Sequence, residues 1–134
     1  MRVPNIFISH RWAYREDYHD LVDGLNRKSW HFYDYSVPQH SPLDLIRVRQ
    51  IETQLKEQVR QCNFFIVSAR MANYHSNWMQ KEVAYAQGYG KYILAVTPFG
   101  YYGNIPSFIQ NAAHGVLQIN QAAAIIRRIE THLV

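Results

Sequence analysis

Apolar positions along this chain follow two rhythms that take turns. Asn5-Ile6-Phe7-Ile8-Ser9 is a short β-branched and aromatic run that stops at polar Ser9-His10-Arg11, the pattern of a buried first strand. From Tyr14 to Lys28 the period lengthens. Tyr18, Leu21, Val22 and Leu25 recur at helical spacing while Glu16, Asp17, Asp20 and Asp23 fall between them, which predicts an amphipathic helix with acids near its N-terminus. Trp30 to Tyr33 reads as a second strand, and Asp34 to Asp44, interrupted by Pro38 and Pro42, as a long loop. That loop is expected to adjust when a nucleotide binds, because its prolines leave it few regular backbone bonds.

The alternation continues. Ile51, Leu55, Val59 and Cys62 mark a second helix, Asn63 to Val67 the most apolar and therefore central strand, and Ala69 to Ser76 a loop. Asn77 with Gln80 three residues on resembles a capping box, from which Met79, Val83 and Ala86 carry a helix to Gly88 and Gly90. Tyr92 to Val96 is a fourth strand, Thr97 to Gly103 a second long loop, Pro106 to Ala113 a short helix and Val116 to Ile119 a fifth strand. Ala122, Ile125, Ile126, Ile129 and Leu133 predict a closing amphipathic helix. Strands alternating with helices predict an α/β three-layer sandwich: a parallel five-stranded sheet, covered on both faces, in the flavodoxin-like order 2-1-3-4-5. The range 1–134 is read as one domain.

Composition narrows the class further. Apolar residues at 48% and charged residues at 18% are those of a globular protein rather than a disordered one. No run approaches the roughly 20 apolar residues of a spanning helix, and no signal or transit pattern opens the chain, so a cytoplasmic protein without membrane association is expected. Cys62 is the single cysteine, on the apolar stripe with Leu55 and Val59, and is read as a small buried hydrophobe. The formal charge of +4 is dispersed. Glu52/Lys56 and Lys56/Arg60 lie at helical spacing on a solvated face, and with no arginine-rich stripe nucleic acid is not an expected partner.

In an open parallel sheet, ligands bind beyond the carboxyl ends of the strands where strand order reverses, here between strands one and three. That rule nominates Ser9 and His10, Asp34 and Ser36, and Ser68 from the first three strands. Trp78 and Glu82, spaced i and i+4, lie on one face of the helix that begins at the same edge. Several chemistries are missing there: no carboxylate cluster for a receiver-type metal, no GxxxxGK[ST] loop, no GxGxxG after a strand and no nucleophile elbow. The seven histidines show no ligand spacing, and no metal is expected.

Three motifs in order carry a resemblance: Phe7-Ile8-Ser9-His10, Asp34-Tyr35-Ser36-Val37-Pro38, and Ser76-Asn77-Trp78-Met79-Gln80-Lys81-Glu82. With Gly90-Lys91-Tyr92-Ile93-Leu94-Ala95-Val96-Thr97-Pro98 downstream, the chain resembles TIR-like domains, and more closely the TIR-like group of bacterial antiphage Thoeris systems. The resemblance implies an enzyme that takes NAD as substrate, with no cofactor, cleaves its nicotinamide-ribose bond and makes an ADP-ribose-derived signal for a partner effector. It also implies sites often completed by a second copy. The S-x-W-x-x-x-E pattern puts the family's catalytic glutamate on Glu82, and the motifs put Phe7, Ser9, His10, Asp34, Ser36 and Trp78 on the substrate-binding side.

Other roles stand beside these. Glu82 as a solvated helix residue is the ordinary reading of a glutamate, against which its place near the crevice and the resemblance weigh for catalysis. Ser9 either ends its strand or touches the nucleotide. His10 departs from the aromatic residue often found there in TIR domains. Asp34 and Ser36 either cap the loop or face substrate, and Trp78 reads as packing before stacking. Two other functions fit the fold: a non-catalytic TIR adaptor, which has no need of Glu82, and a nucleoside deoxyribosyltransferase-like enzyme, which would exchange bases and leave NAD intact.

Overall fold

The structure is a computed structural model that describes residues 3–10, 15–36, 48–74 and 76–133. β1 (Asn5–Ser9), β2 (Tyr33–Asp34), β3 (Phe64–Ser68), β4 (Ile93–Thr97) and β5 (Gly115–Gln118) form one parallel sheet in the order β2-β1-β3-β4-β5. Between and after them come α1 (Arg15–Arg27), α2 (Val48–Gln61), α3 (Ala69–Ala72), α4 (Ser76–Gly88), α5 (Ser107–Ala112) and α6 (Ala122–Thr131). The predicted topology is the observed one. Among the described residues no helix is long and apolar enough to cross a membrane.

Strand pleating divides the core. Phe7, Phe65, Val67, Ile93 and Ala95 point to one face, where Leu55 and Val59 of α2, Met79, Val83 and Ala86 of α4 and Ile109 of α5 cover them. Ile6, Ile8, Phe64, Ile66, Leu94 and Val96 point to the other, against Leu21 and Leu25 of α1 and Ile125 and Ile129 of α6. Because both faces are covered, the central strands read as continuous apolar runs rather than alternating ones. Cys62 is buried as expected, and burial pushes its thiol up to about 11.

Several local expectations change. The second strand is two residues, not the run Trp30 to Tyr33. Parallel register sets Asn5 opposite Tyr33, so residues 30–32 would face a segment that ends in Pro4, which has no N–H to give. Trp30 and Phe32 instead stack with centroids 5.7 Å apart and pack against the α1 side of the core. The stretch from Ala69 to Ser76 is not simply a loop, because Ala-Arg-Met-Ala, good helix formers, coil into α3. Asn77 does not cap a helix, since α4 already begins at Ser76. Glu52 faces Lys81 and Tyr85 of α4, rather than serving only as a solvated partner for Lys56. Of the proposed loop from Asp34 to Asp44, Asp34 closes β2 and residues 37–44 lie outside the described residues, as does Tyr14 at the expected start of the first helix.

Candidate active site

The site is built where β1 ends. Alternation along β1 turns Ser9 to the same face as Phe7, and on that face α4 runs back across the sheet. Met79, Val83 and Ala86 form the buried stripe of α4, and Glu82 falls inside it, three residues after Met79 and next to Val83. Its carboxyl is therefore carried into the interior, with only 2% of the residue exposed. A buried carboxylate needs donors. Ser9 supplies one, its hydroxyl donating to Glu82 Oε1 at 2.8 Å. The bond joins residues 73 apart in the chain and fixes both at the carboxyl edge between strands one and three.

Phe7 lies beneath this pair, wholly buried, its ring stacked on Phe65 at 5.2 Å. It supports the site from below and offers no surface of its own. Trp78, one helical turn before Glu82, is half-buried against the same core cluster, and Lys81 Nζ stands 4.9 Å from the centre of its ring. The structure thus gives Trp78 a packing role.

His10, Asp34 and Ser36 are drawn elsewhere. Alternation turns His10 to the α1 face, where it is 6% exposed and stacks on Tyr18 with centroids 4.0 Å apart. Its Nδ1 lies 2.7 Å from the Ile8 carbonyl oxygen, a geometry in which Nδ1–H donates. The Tyr18 hydroxyl donates to Asp34 Oδ2, and burial, reinforced by that bond, pushes the Tyr18 phenol well above its ordinary range. The other Asp34 oxygen accepts the Ser36 N–H at 2.9 Å, an Asx-type turn. Ser36 Oγ accepts from the Ile8 N–H at 3.1 Å and donates to the Ile8 carbonyl at 3.0 Å, extending the β1–β2 ladder by a side-chain rung. Ser9 and Glu82 are therefore brought together; Asp34 sits on the far side of β1 from them.

One contact at this edge is not among those the chain's pattern nominates. Asp17, 3% exposed, accepts from Arg70 Nε at 3.0 Å and from an Arg70 terminal nitrogen at 2.6 Å, tying α1 to α3. Burial raises the Asp17 carboxyl, and Arg70 works against that rise. The spacing Asp17, Leu21, Leu25 carried the signal, an acid on an apolar stripe. The Ser68 hydroxyl, nominated by the switch-point rule and 3% exposed at the end of β3, has no hydrogen-bond partner among the described residues. Among the described residues, no three His, Cys, Asp or Glu side chains are grouped to hold a metal ion.

Comparison with known proteins follows the same outline. A family profile described as "Thoeris protein ThsB, TIR-like domain" matches residues 7–101, which span both Ser9 and Glu82. No curated protein matches the chain. Among solved structures, the Clostridium botulinum CMP N-glycosidase BcmB is similar at a TM-score of 0.51 and 15% identity, covering 94% of this chain and 98% of that one. A diflavin flavoprotein A3 from Nostoc sp. gives 0.49 and 11%, over 98% of this chain and 90% of its own. At these identities the first likeness is one of fold, in keeping with the sheet order.

Proposed function

This chain belongs to the Thoeris ThsB TIR-like family, a family of antiphage defence, and from that premise we propose that it cleaves the nicotinamide-ribose bond of NAD with Glu82 as its catalytic carboxylate. The observation that carries the reading is the Ser9–Glu82 pair, a carboxylate buried in the stripe of α4 and held by a hydroxyl at the switch point. A carboxyl buried at the switch point and held there by a polar side chain is an arrangement that active sites use, and it supports the catalytic reading.

The chemistry asks for little more. The C1′–N bond breaks, its electron pair neutralises the pyridinium nitrogen, and nicotinamide departs without a proton. The ribose is left with oxocarbenium character. A carboxylate beside C1′ in a site poor in water stabilises that charge, and Ser9 orients the carboxylate through Oε1. Attack by water on C1′ gives ADP-ribose; attack by a nucleophile within the same molecule gives a cyclic product. In this reading the ADP-ribose-derived product is the signal to a partner effector, and a second copy of the chain completes the site.

Glu82→Gln tests the proposal. The amide keeps the shape and still accepts from Ser9, so the melting temperature is expected to hold. Loss of the charge removes about 3 to 4 kcal/mol of transition-state stabilisation, a fall of roughly two to three orders of magnitude in nicotinamide release. The assay follows nicotinamide from NAD over a range of protein concentrations, with CMP as a control for base release from a nucleotide. Equal nicotinamide release by wild type and variant would remove Glu82 from the reaction. Base release from CMP with NAD left intact would replace the substrate.

A further inference from the structure

A groove of about 490 Å³ lies on the opposite face of the sheet from Glu82, between α1 and the loops that follow β4 and β5. Asp20, Gly24, Arg27 and Lys28 line one side of it, Phe99 and Ala122 the other. Gly24 and Ala122 make a low floor, since a Cβ placed on Gly24 would come within 3.7 Å of the Ala122 methyl. Phe99 is 77% exposed, an unusual position for a phenylalanine. Its loop is nevertheless braced: the Tyr101 N–H donates to the Pro98 carbonyl at 3.1 Å, and Asn73 Nδ2 donates to the Asn104 carbonyl at 2.8 Å. The ring is thus presented by an ordered turn.

Charge is ordered along the groove as well. Arg70 neutralises Asp17 at the upper end. Among the described residues Arg27 and Lys28 have no carboxylate partner, and Asp20 has no cation. α1 starts at the carboxyl edge of the sheet, where Phe99 follows β4, so the groove runs from ring to carboxylate to cations. At a helical rise of about 1.5 Å per residue, Asp20 and Arg27 are about 10 Å apart along α1.

We propose that this groove binds a nucleoside monophosphate, separately from the chemistry at Glu82. The base stacks on Phe99, the ribose hydroxyls donate to Asp20, and the phosphate meets Arg27 and Lys28. The volume suits one nucleotide and sits within the roughly 300–1,000 Å³ of small-ligand sites. Each third of such a ligand finds the chemistry it needs in the order in which its parts are bonded. A bare phosphate would leave Phe99 and Asp20 unused, and a bare nucleoside would leave both cations unused.

The probe is AMP, titrated into the isotope-labelled full chain and followed by amide chemical shifts, with adenosine and inorganic phosphate as parallel arms. AMP is expected to saturate with shifts centred on Gly24, Phe99 and Ala122, and to bind at least about tenfold more tightly than either fragment. Arg27→Ala/Lys28→Ala should weaken AMP about tenfold and Phe99→Ala about fivefold, with unchanged melting, since all three side chains are exposed. Lys28→Ala alone serves if the double variant melts early. Glu82→Gln should bind AMP as wild type does. Absence of saturation at several millimolar, shifts confined to Ser9 and Glu82, phosphate binding as tightly as AMP, or indifference to the Arg27 and Lys28 changes would each overturn the site.

Discussion

A carboxylate placed on an apolar stripe sets the terms for its neighbours. Glu82 is buried and receives the Ser9 hydroxyl. Ser9→Ala leaves a desolvated acceptor short of a donor, at a cost of about 1–3 kcal/mol. In a Glu82→Gln background the same change should cost less, because a neutral amide loses less on leaving water. Urea unfolding of the four proteins of that cycle is expected to give a coupling of at least about 0.5 kcal/mol; additivity would mean that the bond contributes nothing specific. Both acids that prove important were visible as interruptions in a pattern. Met79, Glu82, Val83 and Ala86 share one helical face, as do Asp17, Leu21 and Leu25, and an acid on such a face has to be paired. The partner is what spacing cannot supply. Ser9 could be nominated because it ends a strand at the switch point, whereas Arg70, 53 residues from Asp17, meets it only through the docking of α3 against α1.

Between elements, polar side chains fix what apolar stripes leave free to slide. α2 and α4 lie side by side under the same half of the core, and the Tyr85 hydroxyl donates to Glu52 across them at 2.6 Å with Lys81 at 3.5 Å from the same carboxylate. Sharing its proton with Glu52 pushes the Tyr85 phenol up from 10.0 to about 12. A phenol raised in the folded state contributes stability that is whole below pH 10 and is lost as pH rises through about 12. The stability gap between wild type and Tyr85→Phe should therefore close over that alkaline range. A gap that stays constant in base would mean that the bond does not form. At the far end of α2, the buried Lys91 ammonium donates to the Arg60 and Cys62 carbonyls at 2.8 Å each, closing the helix where no glycine does. Helices and strands with a long, clear period were legible from the chain alone. α3 is only four residues, too short to show a period, and β2 is cut short by what lies opposite it, information that its own residues do not contain.

At the scale of the whole molecule, each face of the sheet depends on helices distant in sequence. Ile125 and Ile129 of α6 are fully buried against Leu21 and Leu25 of α1 and the β1, β3 and β4 side chains of that face. Ending the chain after Asn120 would forfeit about 2–3 kcal/mol for each of those two isoleucines and wet the residues beneath them, a loss comparable with the roughly 5–15 kcal/mol that holds a domain together. Such a truncation is expected to unfold without a cooperative transition and to bind a hydrophobic dye; a sharp melt would show that α6 is dispensable. The order β2-β1-β3-β4-β5 also has a consequence in time. As the chain leaves the ribosome, β1 is complete before either of the strands that flank it, and Leu21 and Leu25 emerge about 100 residues ahead of the isoleucines that cover them, an interval of several seconds at about 5–20 residues per second. For that interval the nascent chain carries a helical stripe without its α6 cover, and for the first part of it a strand without neighbours, which makes it a natural client for chaperones that shield growing polypeptides.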